Sequence, residues 1–225
     1  MQRPVLLHAV ACVVGGVVMR RVAMARDYIK EHTGLPRAML PVVLTLSACA
    51  TTLPPGQPYH GSDWAGYLDL RSPNSEGWGV VQVSPERIAF ARKGTQPDES
   101  IAAWVMRGAA PPTQTREEWL SLVKTAEERG LDRDRFTLLK SEYAFTDERR
   151  YPCVRSSVVR EDRQAQVSAF RRETLMLREI LLSCRHPVRQ DTGFSISYSH
   201  RGDGEYPNLE AEAQAFFDRI QVPGY

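Results

Sequence analysis

The residue types of a hydrolase triad occur together near the carboxyl end of the chain, in Ser199, His200 and Asp203. In such a triad the histidine takes the proton of the serine hydroxyl, so the two side chains must touch. The segment from Gly193 to His200 alternates large side chains with serines, which predicts a β-strand. Adjacent residues of a strand point to opposite faces, so Ser199 and His200 cannot bond each other. The spacing therefore predicts no catalytic residue here.

Two of the four cysteines, Cys153 and Cys184, fall in predicted strands. If these strands form one hairpin, its centre lies near residues 168 and 169, and the two cysteines face each other. A disulfide is the expected state of such a pair in an oxidising compartment. Free thiols are an alternative. A metal site using Cys184, His186 and His200 is another, although the Cys-x-His spacing matches no zinc signature.

Two arginines and two histidines lie at predicted strand ends. Arg185 and His186 end one strand, and His200 and Arg201 end the next. Strand ends beside loops are common places for binding sites. Two guanidinium groups with two imidazoles near their titration range would attract a carboxylate or a phosphate. We therefore predict one small basic binding patch from these four residues, provided that the strands pair through the short loop 187–192.

Cys49 is also chemically distinctive, and it follows Leu46-Ser47-Ala48. The apolar run from Ala38 to Leu46 precedes it, and Arg37 precedes the run. This run has about the length of a signal-peptide core and is too short to span a bilayer. The combination resembles the lipobox of bacterial lipoprotein signal peptides.

That resemblance implies that the Cys49 sulfur carries a diacylglycerol and that the chain is cleaved just before this residue. Ala50 after the cysteine would imply sorting to the outer membrane, facing the periplasm. The alternative is a buried helix that ends in cysteine. Pro41 inside the run and the polar segment after Cys49 argue against a helix.

The net charge changes sign when the predicted signal segment is removed. The whole chain of 225 residues carries +2, but its first 48 residues hold six Lys and Arg and two Asp and Glu. The remaining 177 residues therefore hold 23 basic and 25 acidic residues, a net charge of −2. This balance predicts no nucleic-acid partner. The sequence also contains no Walker loop, dinucleotide-binding glycine pattern, His-Glu-x-x-His or EF-hand motif, so we predict no cofactor and no metal.

A second apolar run, from Pro4 to Met19, lies upstream of the lipobox. Its 16 residues are marginal for a transmembrane helix. It is either a membrane anchor or the result of a start codon assigned too early, with translation beginning nearer Met24 or Leu35.

The sequence divides into three parts: a signal and upstream segment at 1–48, a lipidated tether at 49–63 and one globular domain at 64–225. Pro54, Pro55 and Pro58 favour extended backbone in the tether, and Gly56 and Gly61 loosen it.

Periodicity predicts seven strands and two helices in the domain, in the order β-β-β-α-β-β-β-β-α. Thr115 followed by Glu118 is a capping-box pattern for the first helix, and Gly130 ends it. Asn208 can cap the second helix. The predicted strands span 78–83, 87–92, 101–106, 136–145, 153–160, 174–184 and 193–200, and the polar stretch 161–172 is predicted to be a long hairpin loop.

Hairpin-rich runs with segregated helices predict an antiparallel α+β fold. The element order is loosely similar to the Mog1/PsbP-like arrangement, which implies helices on both sides of one sheet. A resemblance in element order transfers no function.

Two classes of function follow from these patterns. The first is a membrane-anchored envelope lipoprotein with a non-enzymatic binding or scaffolding role, whose partner is an envelope protein or an anionic ligand. The second is an envelope hydrolase with a triad assembled from distant residues, which would need serine, histidine and a carboxylate in one cleft. A structural domain without any small-molecule site is a third alternative.

Overall fold

The computed structural model describes Trp64, residues 66–146, 148–168 and 170–225, and the backbone of Pro58 and Tyr59. The predicted signal segment, Cys49 and the remainder of the predicted tether lie outside these residues. Within the described ranges, no helix combines the length and the hydropathy needed to cross a membrane.

The described residues form nine strands and two helices. In chain order these are β1 (Pro58–Tyr59), β2 (Leu70–Arg71), β3 (Gly79–Val83), β4 (Arg87–Lys93), β5 (Ser100–Ala109), α1 (Arg116–Gly130), β6 (Phe136–Thr146), β7 (Cys153–Gln166), β8 (Arg172–Arg185), β9 (Thr192–Arg201) and α2 (Leu209–Phe217). From β3 onward the order is the predicted one, which confirms the α+β class.

Strands β3 to β9 form one fully antiparallel sheet in the spatial order β3-β4-β5-β9-β8-β7-β6. The last strand of the chain therefore lies in the middle. It joins the β3-β4-β5 meander to the β6-β7-β8 meander, and β3 and β6 form the two edges.

Large apolar residues and serines alternate along β9, and this alternation shows which face of the sheet packs against α2 and which lies on the side of α1. Phe194, Ile196 and Tyr198 are buried against α2, whose Phe216 packs on the Tyr198 ring at a centroid distance of 6.2 Å. Each such large apolar side chain stabilises the fold by about 1.5–3 kcal/mol. The intervening serines face the opposite side, where α1 packs on β6 and β7.

Helix α1 begins as its sequence predicts. The Thr115 hydroxyl accepts a hydrogen bond from the Glu118 amide at 3.1 Å, and the Glu118 carboxylate accepts one from the Gln114 amide at 2.7 Å. Trp119 and Val123 are the buried residues of the helix. In α2, Asn208 occupies the N-cap position but makes no capping hydrogen bond through its side chain.

Strand β5 continues to Ala109, three residues beyond its predicted end, and two further differences concern segments that were not predicted as strands. The stretch 161–172 is mostly strand, because β7 and β8 continue their pairing as far as Gln166 and Arg172. Most of its polar residues are exposed, and the buried Asp162 pairs with Arg135. Pro58 and Tyr59, assigned to the tether, pair with β2, so sheet pairing begins before residue 64.

Candidate functional site

The predicted disulfide between Cys153 and Cys184 is confirmed. The two residues are direct partners in the β7–β8 register, with Cα atoms 4.1 Å apart. Both side chains are buried on the α2 face of the sheet. The bridge therefore joins neighbouring strands inside the main core and offers no exposed thiol for chemistry.

Arg185 lies on the α1 face, at the end of β8. Its guanidinium donates to the carbonyls of Pro111 and Gln190 and to the Thr113 hydroxyl, at 2.7–2.8 Å. It also stacks over the Trp119 ring at 5.6 Å. These contacts tie the segment before α1 to the end of the sheet.

His186 lies on the opposite face and is buried. Its Nε2 bonds the Tyr67 carbonyl at 3.1 Å, and its Nδ1 accepts from the amides of Val188 and Arg189. Burial lowers the pKa of His186, and the Tyr67 carbonyl partly offsets this effect. The ring orders the β8–β9 loop.

His200 is fully buried on the α2 face, at the other end of β9. Its Nε2 bonds the Glu99 carboxylate at 2.6 Å, and its ring stacks on Tyr206 at 4.8 Å. Burial raises the pKa of Glu99, but hydrogen bonds from His200, Gln96 and Thr95 outweigh it and lower the pKa to about 2. Glu99 is therefore an ionised partner that fixes the imidazole.

Arg201 lies on the α1 face and pairs with a carboxylate. Its Nε lies 3.1 Å from Oδ2 of Asp162, whose side chain is fully buried. Arg135 bonds the same carboxylate through two nitrogens at 2.8 and 2.7 Å. One buried carboxylate thus holds two arginines from different elements.

The prediction of a single patch from Arg185, His186, His200 and Arg201 is therefore wrong. In an antiparallel pair, the end of one strand meets the beginning of the next. Arg185 lies opposite Gly193, eight residues before Arg201 in β9, which corresponds to roughly 27 Å at about 3.4 Å per residue. The two arginines share a face but not a site, and the two histidines are buried on the other face.

The serine and histidine considered for a triad also lie apart. The Ser199 hydroxyl donates to the Ala102 carbonyl on the α1 face, whereas His200 faces α2. In the described part of the chain, the only histidines are His186 and His200, and neither ring bonds a serine hydroxyl. The same residues contain no group of three or more His, Cys, Asp or Glu side chains placed to hold a metal ion.

The α1 side of the sheet carries an excess of positive charge, and we call it the basic face. Between the levels of Arg185 and Asp162, strands β4, β5, β7, β8 and β9 place five basic and two acidic side chains on it: Arg87, Lys93, Arg160, Arg185, Arg201, Asp162 and Glu179. The net charge of +3 contrasts with −2 for residues 49–225. Such a local excess attracts acidic partners.

Glu179 is the buried centre of the basic face. Its carboxylate accepts from the Ser197 hydroxyl at 2.6 Å and from Arg160 at 2.8 Å. Without these donors a carboxylate that is 9% exposed would be costly to ionise. The Ser197 hydroxyl is completely buried, so a substrate has no access to it, and the arrangement positions side chains and does not resemble a nucleophilic site.

Arg87 and Trp104 form the outer part of the basic face. The guanidinium lies 5.0 Å from the Trp104 ring centre. Burial lowers the pKa of Arg87, and the charge of Glu179 partly offsets this effect. Met106, opposite Arg87 in the register, is 42% exposed. Helix α1 packs on β6 and β7, and α2 contacts β4 on the opposite face through Phe216 and Phe90. On the basic face Arg87 and Trp104 are half-buried, and Met106 is the exposed member of the three.

Sequence reasoning missed the basic face, although one signal was present. Ser195, Ser197 and Ser199 occupy one side of a strand whose other side is strongly apolar. Small polar residues on a central strand leave room for long side chains from neighbouring strands. The partners themselves, such as Glu179 beneath Arg160 and Arg87, come from distant parts of the sequence.

The sequence matches no known protein family, and no curated protein is similar to it.

Proposed function

We propose that this chain is a lipid-anchored protein of the bacterial envelope whose domain binds a protein partner and catalyses no reaction. The lipobox-like segment ending at Cys49 supports the anchor. The buried Cys153–Cys184 bridge supports export, since structural disulfides persist in oxidising compartments. Residues 1–48 are removed in this proposal, and sorting to the outer membrane follows from Ala50.

The observation that carries the binding role is the group formed by the half-buried Arg87 and Trp104 and the exposed Met106 on the basic face. Arginine, tryptophan and methionine are enriched at protein interfaces, and arginine and tryptophan dominate their binding energy. The Arg87 guanidinium lies over the Trp104 ring at 5.0 Å, and this contact limits the movement of both side chains, which lowers the entropy lost on binding. The excess positive charge favours an acidic segment of an envelope protein as the occupant.

The anchor is tested by replacing Cys49 with alanine. We expect the purified wild-type chain to begin at Cys49 and to carry the mass of a diacylglycerol, and the variant to remain unprocessed or to leave the membrane fraction. Mass spectrometry and fractionation measure both. Cys12→Ala is the matched control and should change neither result. Recovery of a chain with unmodified Cys49 from membranes would contradict the anchor.

The binding face is tested by photo-crosslinking in intact cells, with a benzophenone amino acid in place of Trp104 or, as control, Val188. Val188 is 63% exposed and lies in the β8–β9 loop. We expect an adduct only at position 104, joined to an acidic segment when mapped by mass spectrometry. Arg87→Gln with Lys93→Gln should greatly reduce its yield, because these changes remove two of the five positive charges of the basic face.

A charge-matched control removes two lysines elsewhere, Lys124→Gln with Lys140→Gln, and should leave the adduct unchanged. Thermal unfolding of both double variants shows that the fold is retained. Equal crosslinking at positions 104 and 188, or an adduct that is insensitive to the loss of Arg87 and Lys93, would exclude the basic face as the partner site.

A further inference from the structure

The tip of the β7–β8 hairpin protrudes from the sheet. Along the chain, β7 pairs with β6 only as far as Asp162, and β8 pairs with β9 only from Leu177 onward. Beyond these levels β7 and β8 continue to pair with each other as far as Gln166 and Arg172, roughly 13 Å past the end of β6 at about 3.3 Å per residue. The loop before β6 contacts the base of this extension, where Arg163 donates to the carbonyls of Arg135 and Arg133. Residues 163–168 and 170–173, which we call the hairpin tip, therefore reach further than β6 and β9.

Phe170 at the hairpin tip is completely exposed, with 101% of its reference surface in contact with solvent. No other described large apolar side chain exceeds 63%. Leaving a phenylalanine in water forfeits about 1.5–3 kcal/mol relative to burial. A side chain at this position is well placed to leave water and enter an apolar environment.

Arginines surround this phenylalanine. Arg163, Arg171 and Arg172 are exposed, and Glu173 is the only acidic residue of the hairpin tip, which gives it a net charge of +2. Arg178 donates to the carbonyls of Gly202 and Gly204 and holds the acidic loop after β9 against the sheet. An exposed aromatic ring among arginines has the chemistry of a segment that enters the headgroup region of an anionic bilayer.

The direction of the chain is consistent with a membrane at this end. Tyr67 bonds the Gly193 carbonyl near the start of β9, and Trp78 packs on Tyr198 further along. Strand β2 between them therefore runs toward the hairpin-tip end of the sheet. Since β1 is antiparallel to β2, the chain enters β1 from that same end. The nine Cα–Cα steps from Cys49 to Pro58 span at most about 30 Å, which limits how far the domain can lie from its anchor.

We propose that the hairpin tip is a second membrane contact: Phe170 inserts between the lipids of an anionic bilayer, and Arg163, Arg171 and Arg172 bind the headgroup phosphates. This inference rests on the proposed lipid anchor, whose two acyl chains keep the domain close to the bilayer. The anchor supplies proximity, and the hairpin tip fixes the orientation of the domain.

The experiment uses the full chain, purified with its native processing and reconstituted into vesicles of phosphatidylcholine and phosphatidylglycerol. Phe170→Trp and the control Val188→Trp are compared with the parent, whose four tryptophans are subtracted. With brominated lipids, we expect strong quenching of the fluorescence added at position 170 and none at position 188. Arg171→Gln with Arg172→Gln should reduce this quenching in anionic vesicles and leave it unchanged in pure phosphatidylcholine.

Quenching at neither position, or equally at both, would overturn the membrane contact. The mass of the reconstituted chain reports separately whether Cys49 carries lipid. A lipidated chain without quenching at position 170 therefore rejects the hairpin-tip contact alone, whereas a chain without lipid rejects the anchor.

Discussion

Replacing Cys153 and Cys184 together by alanine is expected to lower the free energy of unfolding by about 3–4 kcal/mol. The bridge closes a loop between residues separated by 31 positions. In the chain-entropy account, this closure removes conformations from the unfolded state. For a domain of this size, the loss is a large fraction of a total stability of about 5–15 kcal/mol. Urea unfolding of the wild type and the variant measures it.

Both cysteines are buried, 1% and 0% exposed, so alanine also leaves small voids. Comparing the oxidised wild type with the wild type unfolded in the presence of a reductant removes this contribution. The alanine variant should be insensitive to the reductant. Identical unfolding midpoints for the wild type in both redox states would show that the bridge does not stabilise the domain.

Asp162→Ala is expected to cost about 3 kcal/mol, because it leaves two arginines without their buried carboxylate. Arg135 and Arg201 are 20% and 27% exposed, so water relieves part of the penalty and places the loss at the low end of the range for broken buried pairs. Glu161→Ala is the matched control, since this neighbouring carboxylate lies on the other face of β7. A similar loss in both variants would refute the buried pairing.

The contribution of Asp162 should also depend on pH. Burial raises the pKa of Asp162, but hydrogen bonds from Arg135 and the charges of Arg201 and Arg135 outweigh it and lower the pKa below its ordinary value of 3.8. The stabilisation is therefore present above that value and is lost as the pH falls through the lower folded-state pKa. The difference in the free energy of unfolding between the wild type and Asp162→Ala should become smaller as the pH is lowered.

The element order could be predicted because its signals lie in neighbouring residues. The disulfide register could be predicted because the two strands of a hairpin are symmetric about its centre. Alternation in Phe194–Tyr198 identifies a strand from a few residues, and Thr115 with Glu118 identifies a helix start. The pairing of Cys153 with Cys184 follows from the centre of a hairpin. Each of these inferences needs only neighbouring residues or two adjacent strands.

The candidate site could not be predicted in the same way because its contacts span the sheet. Arg87 and Glu179 approach each other only through three intervening strand pairings, and Glu99 meets His200 across a separation of 101 residues. The basic patch failed for a simpler reason: Arg185 and Arg201 both end strands, but successive antiparallel strands end at opposite sides of a sheet. A sequence shows which residues end strands without showing which ends coincide.

The central position of β9 has a consequence for the order of folding. The β3-β4-β5 and β6-β7-β8 meanders hydrogen bond only through this strand among the described residues, and it is formed by residues 192–201. A chain that emerges from its amino end cannot complete the sheet until those residues are free. Until then β5 and β8 expose unpaired edges that invite aggregation. During synthesis or translocation, the domain therefore stays unfinished until almost its entire length has emerged, and truncation before Thr192 would leave two separate meanders with open edges.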